Sequence, residues 1–273
     1  MTISRFQNTI LEWYQKNKRD MPWRNTRAPY KILVSEIMLH QTQVSRVLPK
    51  YKEFCTAFPT ITTLANASDK KLLTIWKGLG YWRRAKYLKE TAKRILQHHG
   101  GKFPKDAKIL ETLPGVGPYT ARALACFAWN APEPFIDTNI RRVYLHFFFP
   151  RTTSVSDKEI LEVAKKAVWK KNPREWHYAL FDYGAMELRD TSINKRSKTY
   201  AKQSPFTGSF RSFRTRALRL VLEEPKQKIS EETIKKILEE LLRKEEVDYA
   251  PEAILSSLLK DGLLKKRKEF YEA

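Results

Sequence analysis

Cysteine is nearly missing. Only Cys55 and Cys126 occur in 273 residues, each inside an apolar helical pattern. Two distant thiols cannot build a cysteine-rich zinc site, a disulfide scaffold or a four-cysteine iron–sulfur cluster, so buried free thiols are the simpler reading. The five histidines show no HExxH spacing, and His98-His99 falls near a helix end where solvation suffices. Long apolar runs are missing too: no stretch approaches the ~20 residues that cross a bilayer, so no membrane role is expected. The opening residues, charged by Arg5, lack the apolar stretch of a secretory signal, and a cytoplasmic, nucleoid-associated protein is the expectation. Acidic residues are scarce, 30 against 52 basic ones, for a formal charge of +22. That excess seeks a polyanion, most simply a nucleic acid. Aromatic residues make up 12% and tryptophans number seven, which excludes a disordered basic tail.

Alternating β-branched runs are almost absent, and the remaining pattern is helical. Phe6, Ile10, Leu11 and Tyr14 stripe a first helix, and residues 30–43 read as a second. The same spacing recurs over 72–76, 85–96, 120–128 and 160–169. The class is mostly α. A proline and glycine break at Ser204-Pro205-Phe206-Thr207-Gly208 divides the chain. Beyond it, 15 basic and 13 acidic side chains leave a net +2, so the first 204 residues carry +20. Helices are expected over 214–222, over 230–242 with Ser230 as N-cap, and over 251–260, followed by a short strand pair within 263–271. Three helices and a wing predict a small winged-helix-like module over 205–273.

The most specific segment is Leu113-Pro114-Gly115-Val116-Gly117-Pro118-Tyr119-Thr120-Ala121. Gly115 and Gly117 make a tight turn between helices. The amides of the next helix, near Gly117 and Thr120, would bind a phosphate regardless of base sequence. A plain helical hairpin explains the same glycines. Further on stands Phe135-Ile136-Asp137-Thr138-Asn139-Ile140-Arg141-Arg142-Val143, an aspartate placed to cap a helix.

Together these strings resemble the helix-hairpin-helix and catalytic-aspartate segments of the endonuclease III superfamily of DNA glycosylases. Pro22-Trp23-Arg24, Pro29-Tyr30-Lys31, Ser35-Glu36-Ile37-Met38-Leu39-His40-Gln41-Thr42-Gln43-Val44 and Gly78-Leu79-Gly80-Tyr81-Trp82-Arg83-Arg84-Ala85 resemble its adenine-DNA glycosylase (MutY) branch, over about residues 19 to 190. The resemblance implies a helix-hairpin-helix glycosylase fold of two helical subdomains, 24–130 and 1–23 with 131–204. It also implies double-stranded DNA carrying a mismatch or lesion as partner, and a monomer.

The resemblance gives each residue an expected role. Glu36, on an apolar helix, would hold a raised pKa and protonate the leaving base, while Asp137 would stay ionised beside the sugar cation. A solvent-facing glutamate and an ordinary N-cap are the plain alternatives. Tyr119 and Asn139 would support the reaction centre. Strand-cutting relatives carry a Schiff-base lysine at the Tyr119 position, so a monofunctional enzyme follows. Arg19, Trp23 and Arg24 match the pocket for the flipped adenine, with core packing as the alternative. Gln41 and Tyr81 match side chains wedged into the duplex. Arg83, Arg84 and Lys86 would meet phosphates, or stand as solvated charges.

Three departures stand out. The four cluster-cysteine positions hold Leu188, Lys195, Lys198 and Ser204, which implies a clusterless member without cofactor. Lys195, Arg196 and Lys198 would keep a phosphate-binding role, or form a flexible charge run. An alkali metal ion on hairpin carbonyls, as in related glycosylases, is compatible with the pattern. The C-terminal part is too short for the Nudix-like domain that reads 8-oxoguanine. His40 and Thr138 replace the usual glutamine and glycine. The expected reaction is removal of adenine opposite 8-oxoguanine or guanine, with a mismatch thymine or uracil glycosylase and a non-catalytic lesion sensor as rivals.

Overall fold

The computed structural model describes residues 1–202 and 204–273. It is mostly helical and divides into two compact units, 1–37 with 102–202, and 38–101 with 203–273. The expected boundaries differ from this division. Residues 24–37 and 102–130 belong to the first unit rather than to a separate barrel with 38–101, and the C-terminal module joins the 38–101 segment. Among the described residues, no helix is long and apolar enough to cross a membrane.

The first unit is built on the helices Ile3–Asn17, Pro118–Trp129, Thr138–Phe148, Asp157–Ala167 and Pro173–Asp182, with most of the Pro29–Leu39 helix. Its core forms around Phe6, fully buried, with ring centroids of Phe147, Phe148, Trp176 and Tyr144 at 5.0–5.6 Å. Apolar residues at helical spacing on three different helices thus meet in one aromatic cluster. The hairpin is present as expected: the short Ala107–Leu110 helix, a turn with Gly115 at φ 72°, and a second helix entered through Gly117 and Pro118.

The Pro173–Asp182 helix runs into a π-helical turn, Tyr183–Glu187. A Cβ built on Gly184 would lie 2.4 Å from the Asn139 carbonyl oxygen and 2.8 Å from its carbon. Glycine alone lets this turn press against the start of the Thr138–Phe148 helix. Arg142, buried, then donates to Gly184 O at 2.8 Å and Leu188 O at 3.0 Å.

In the second unit, Phe54 packs edge-on against Phe58 and Trp76. The module contributes the helices Phe210–Glu223, Glu231–Lys244 and Pro251–Lys260. Ser230 caps the second through the Thr233 amide, as expected. The wing is a three-stranded antiparallel sheet, ordered Lys228–Ser230, Phe270–Glu272, Lys265–Arg267, with Ile229 opposite Tyr271. The first strand was not foreseen, because three residues carry no periodicity. Asp261 accepts ion pairs from Arg83 (3.4 Å) and Arg214, and Lys77 pairs with Glu223 at 2.5 Å. Two of these pairs, Arg83–Asp261 and Lys77–Glu223, link the module to the 38–101 segment. The helix expected over 30–43 stops at Leu39, since Gln41 takes a left-handed φ of 54°.

Gly184→Ala is expected to cost about 2–4 kcal/mol in urea unfolding, because backbone must move to admit the methyl group. Gly117→Ala, whose Cβ would meet nothing within 4 Å, should cost less than about 1 kcal/mol. Equal costs would show that Gly184 does not set the close approach.

Candidate active site

Every residue that converges on the site belongs to the first unit. The Pro29–Leu39 helix is buried around nearly its whole circumference, with Ile32, Leu33, Val34, Ser35 and Ile37 each at most 3% exposed. Glu36 is accordingly only 5% exposed. Burial pushes its carboxyl up to about 7. Tyr119 and the Arg24 charge draw it down, while the Asp137 charge pushes it further up. Tyr119 Oη donates to Glu36 Oε2 at 3.1 Å, leaving Oε1 to carry a proton. The Tyr119 ring stands edge-on to Phe135 with centroids 5.6 Å apart, and burial raises its phenol far above the ordinary value.

Asp137 caps the Thr138–Phe148 helix. Its Oδ1 accepts from the Ile140 amide at 2.7 Å, and its Oδ2 accepts from Asn139 Nδ2 at 3.2 Å. Desolvation raises its pKa as well, against the expectation of a simply acidic cap, while these donors and Arg141 pull it down. Burial thus raises both carboxyls, and Asp137 has more donors on its anion than Glu36 has.

Behind Glu36 lies an acid that sequence reasoning missed. Asp182 is fully buried and accepts from Arg24 Nη1 (2.7 Å), Arg24 Nη2 (2.8 Å), Arg19 Nε (2.6 Å) and the Arg19 amide (3.1 Å). Burial disfavours the Arg24 charge, yet Asp182 holds its pKa above the ordinary value. The Arg24 guanidinium also lies 4.5 Å from the centre of the Tyr178 ring. Arg174, likewise unforeseen, donates to the carbonyls of Arg24 and Thr26 at 2.7 Å each and fixes the segment that carries Trp23. Trp23 is buried, 3% exposed. The one signal for Asp182 was an acid in a strongly apolar helical run just before Gly184.

A carboxyl held protonated near neutrality, a second carboxyl on a helix N-terminus and a tyrosine between hairpin and acid form one constellation. The sequence profile of the HhH-GPD superfamily of base excision DNA repair proteins matches residues 34–171. The chain belongs to this superfamily. Within it, the similarity runs to adenine DNA glycosylases. The Mycobacterium tuberculosis (strain CDC 1551 / Oshkosh) protein is 50% identical over 135 residues, 49% of this chain and 44% of that one. The Buchnera aphidicola protein is 36% identical over 191 residues, covering 68% and 54%. The human protein is 35% identical over 196 residues, covering 67% and 36%. The matched region thus spans about half or less of each relative. Among solved structures, a thermostable thymine-DNA glycosylase superposes with a TM-score of 0.62 at 30% identity, covering 67% of this chain and 86% of that one.

For this HhH-GPD protein the other expected residues scatter. Gly115 and Gly117 are exposed on the hairpin, as phosphate binding requires, but the Thr120 side chain is 1% exposed and points inside. Gln41 and Tyr81 lie in the second unit, exposed, both with left-handed φ of 54° and 45°. Arg84 is a correction. Instead of facing solvent it donates to five carbonyl or hydroxyl oxygens of the 38–42 and 79–80 turns, and burial lowers its pKa to about 10. Lys86 pairs with Asp69 at 2.7 Å, and Arg83 pairs with Asp261. Arg196 donates to Phe149 O (2.8 Å) and Pro150 O (2.6 Å), so only Lys195 and Lys198 of that stretch stay exposed. His40 is kept neutral by burial, its pKa lowered to about 4.

The superfamily resemblance raises an iron–sulfur cluster, and the residues present do not fit one. Leu188 packs in the interior and supplies no donor atom, and two lysines and a serine are not thiolate ligands. Cys126 is buried 3.5 Å from His177 Nδ1, and Cys55 lies in the other unit. Polar contacts hold the segment instead. Arg142 binds its carbonyls, and Asn194, with its amide oriented to satisfy both neighbours, accepts from Arg142 Nη2 (3.0 Å) and donates to Thr138 O (3.3 Å). A parallel bridge joins Val155 to Ser197. These contacts tie the backbone of 194–198, while the Lys195 and Lys198 side chains stay exposed.

The raised pKa of Glu36 carries a stability consequence. The folded carboxyl binds its proton more tightly than the unfolded one, so its contribution is present below about 4.5 and is lost as pH rises through about 7. Glu36→Gln should gain stability over wild type with rising pH, by up to about 3 kcal/mol at pH 8, and converge with it near pH 5. Urea melts at the two pH values measure the difference. A gap that does not widen with pH would mean that Glu36 titrates normally.

Proposed function

We propose that this chain is a monofunctional DNA N-glycosylase that hydrolyses the glycosidic bond of adenine mispaired with 8-oxoguanine or guanine in double-stranded DNA, as a monomer and without an iron–sulfur cluster. One observation carries the reading: a buried Glu36, its pKa raised by burial, held by Tyr119 beside the helix-capping Asp137. The identity to adenine DNA glycosylases from bacteria to human supports the choice of base.

The chemistry follows from the two carboxyls. Adenine is a poor leaving group until its N7 is protonated, and Glu36 supplies that proton near pH 7. The C1′–N9 bond then breaks with its electron pair passing to the base, and positive charge develops on the sugar. The Asp137 carboxylate, fixed by the Ile140 amide and Asn139, stabilises that cation without reorganising. Water adds to C1′ and gives its proton to the Glu36 carboxylate, which restores the acid. Tyr119 has no amine to form a Schiff base, so the sugar–phosphate strand stays intact. Exposed Lys195 and Lys198, and the hairpin amides around Gly115 and Gly117, are the groups suited to hold phosphates.

The likeness to a thymine-DNA glycosylase gives the rival substrate a specific footing. Single-turnover base release from A:8-oxoguanine, A:G, T:G and U:G duplexes separates the two. Adenine release is expected, with strand scission only after alkali and a rate that falls above about pH 7 as Glu36 ionises. Glu36→Gln and Asp137→Asn should each slow it by at least about 100-fold. Release of thymine or uracil alone would move the protein to the mismatch-pyrimidine class. No release from any duplex, with tight mismatch binding, would leave a lesion sensor.

A further inference from the structure

Within the second unit, Tyr81 presents a large aromatic ring at 38% exposure on a backbone with φ 45°. Left-handed conformations are costly for residues other than glycine, and persist where surrounding structure imposes them. Two guanidinium groups attend this residue. Arg84, its carbon 5.3 Å from the ring centre, ties the Tyr81 turn to the turn bearing Gln41 through His40 O (2.5 Å), Thr42 Oγ1 (3.0 Å), Leu79 O (3.0 Å) and Gly80 O (3.2 Å). The second group comes from the C-terminal module. Arg211 Nη1 donates to Tyr81 Oη at 2.9 Å, and its guanidinium carbon lies 6.0 Å from the ring centre. Its Nη2 donates to Ser204 O at 2.9 Å.

Arg211 is not placed for helix stability. It stands second in the Phe210–Glu223 helix, where a cation opposes the macrodipole, and that first turn carries no acid to offset it. Its partner is instead an exposed phenol on a strained turn, and Asp261 of the module pairs with Arg83 of the helix that follows that turn as well as with Arg214 inside the module. We propose that the C-terminal module takes part in mismatch discrimination through Arg211, which holds the Tyr81 ring as a stacking platform for a base at a disrupted pair. This deepens the proposed function and rests on its claim that the protein acts on duplex DNA. An aromatic face gains from a base that has lost its pairing, and it gains more when its orientation is fixed beforehand. Arg211 is thus a positioning residue for specificity.

The test is a double-mutant cycle in the full chain with Arg211→Ala, Tyr81→Phe and the double variant. Fluorescence anisotropy gives the affinity for a duplex with a central A:G mismatch and for its A:T counterpart, at two salt concentrations. Either single change should lower the mismatched-to-matched affinity ratio about five- to tenfold, and the double variant should be no worse than either. Quenching of 2-aminopurine beside the mismatch should fall in step. Additive losses, an unchanged ratio, or an equal loss on both duplexes with a salt slope reduced by about one would overturn the proposal; the last is the signature of a plain phosphate contact. Thermal melts of each variant identify any that fail to fold, and Arg211→Lys then replaces the alanine change, with partial recovery of the ratio expected. Adenine release by the wild type is scored separately, so loss of the glycosylase reading and loss of this one are told apart.

Discussion

The first unit depends on the neutralisation of one buried carboxylate. Asp182 has no solvent contact, and an unpaired charge there would cost several kcal/mol. Arg24 answers with a bidentate fork and Arg19 with its side chain and its amide, so residues 19–24 are bound to the Pro173–Asp182 helix. The same pairing decides what Glu36 feels. Arg24 draws the Glu36 pKa down, but its charge is already committed to Asp182, and burial of Glu36 prevails. An unpaired guanidinium at that place would pull the acid back towards the ordinary carboxylate range.

Two neighbouring carboxyls sit in two different local environments. Glu36 sits on a helix buried around nearly its whole circumference, while Asp137 caps a helix whose amides favour its anion. The separation survives only if the start of the Thr138–Phe148 helix is held still. Gly184 allows the close approach, and Arg142 and Asn194 fasten the following segment. Multi-donor polar groups thus do the fastening where no set of thiolate ligands exists.

Arginine is the common device in both units. Arg84 joins two strained turns in the second, while Arg24, Arg142, Arg174 and Arg196 tie loops and helix ends in the first. Each presents several donors in a rigid plane, which suits a cluster of carbonyl oxygens better than lysine does. The +22 charge therefore overstates the nucleic-acid footprint. A share of that charge is spent inside the fold.

The sequence by itself determined the helical class, the hairpin at Gly115 and Gly117, the caps at Asp137 and Ser230, and the three helices of the module. Each is a local property, fixed by spacing or by a capping side chain within a few residues. Motif order also grouped Glu36, Tyr119, Asp137 and Asn139, and the fold sets Tyr119 against Glu36 and Asn139 against Asp137. Tertiary structure alone decided that Asp182 neutralises Arg24, that Trp23 and Thr120 are interior, and that Arg84 and Arg196 are internal staples. It also decided that the C-terminal module belongs with residues 38–101 and lends Arg211 to Tyr81. Those pairings join residues up to about 160 positions apart. A charged side chain reads the same in sequence whether its partner is water, phosphate or a buried carboxylate, and only packing chooses among them.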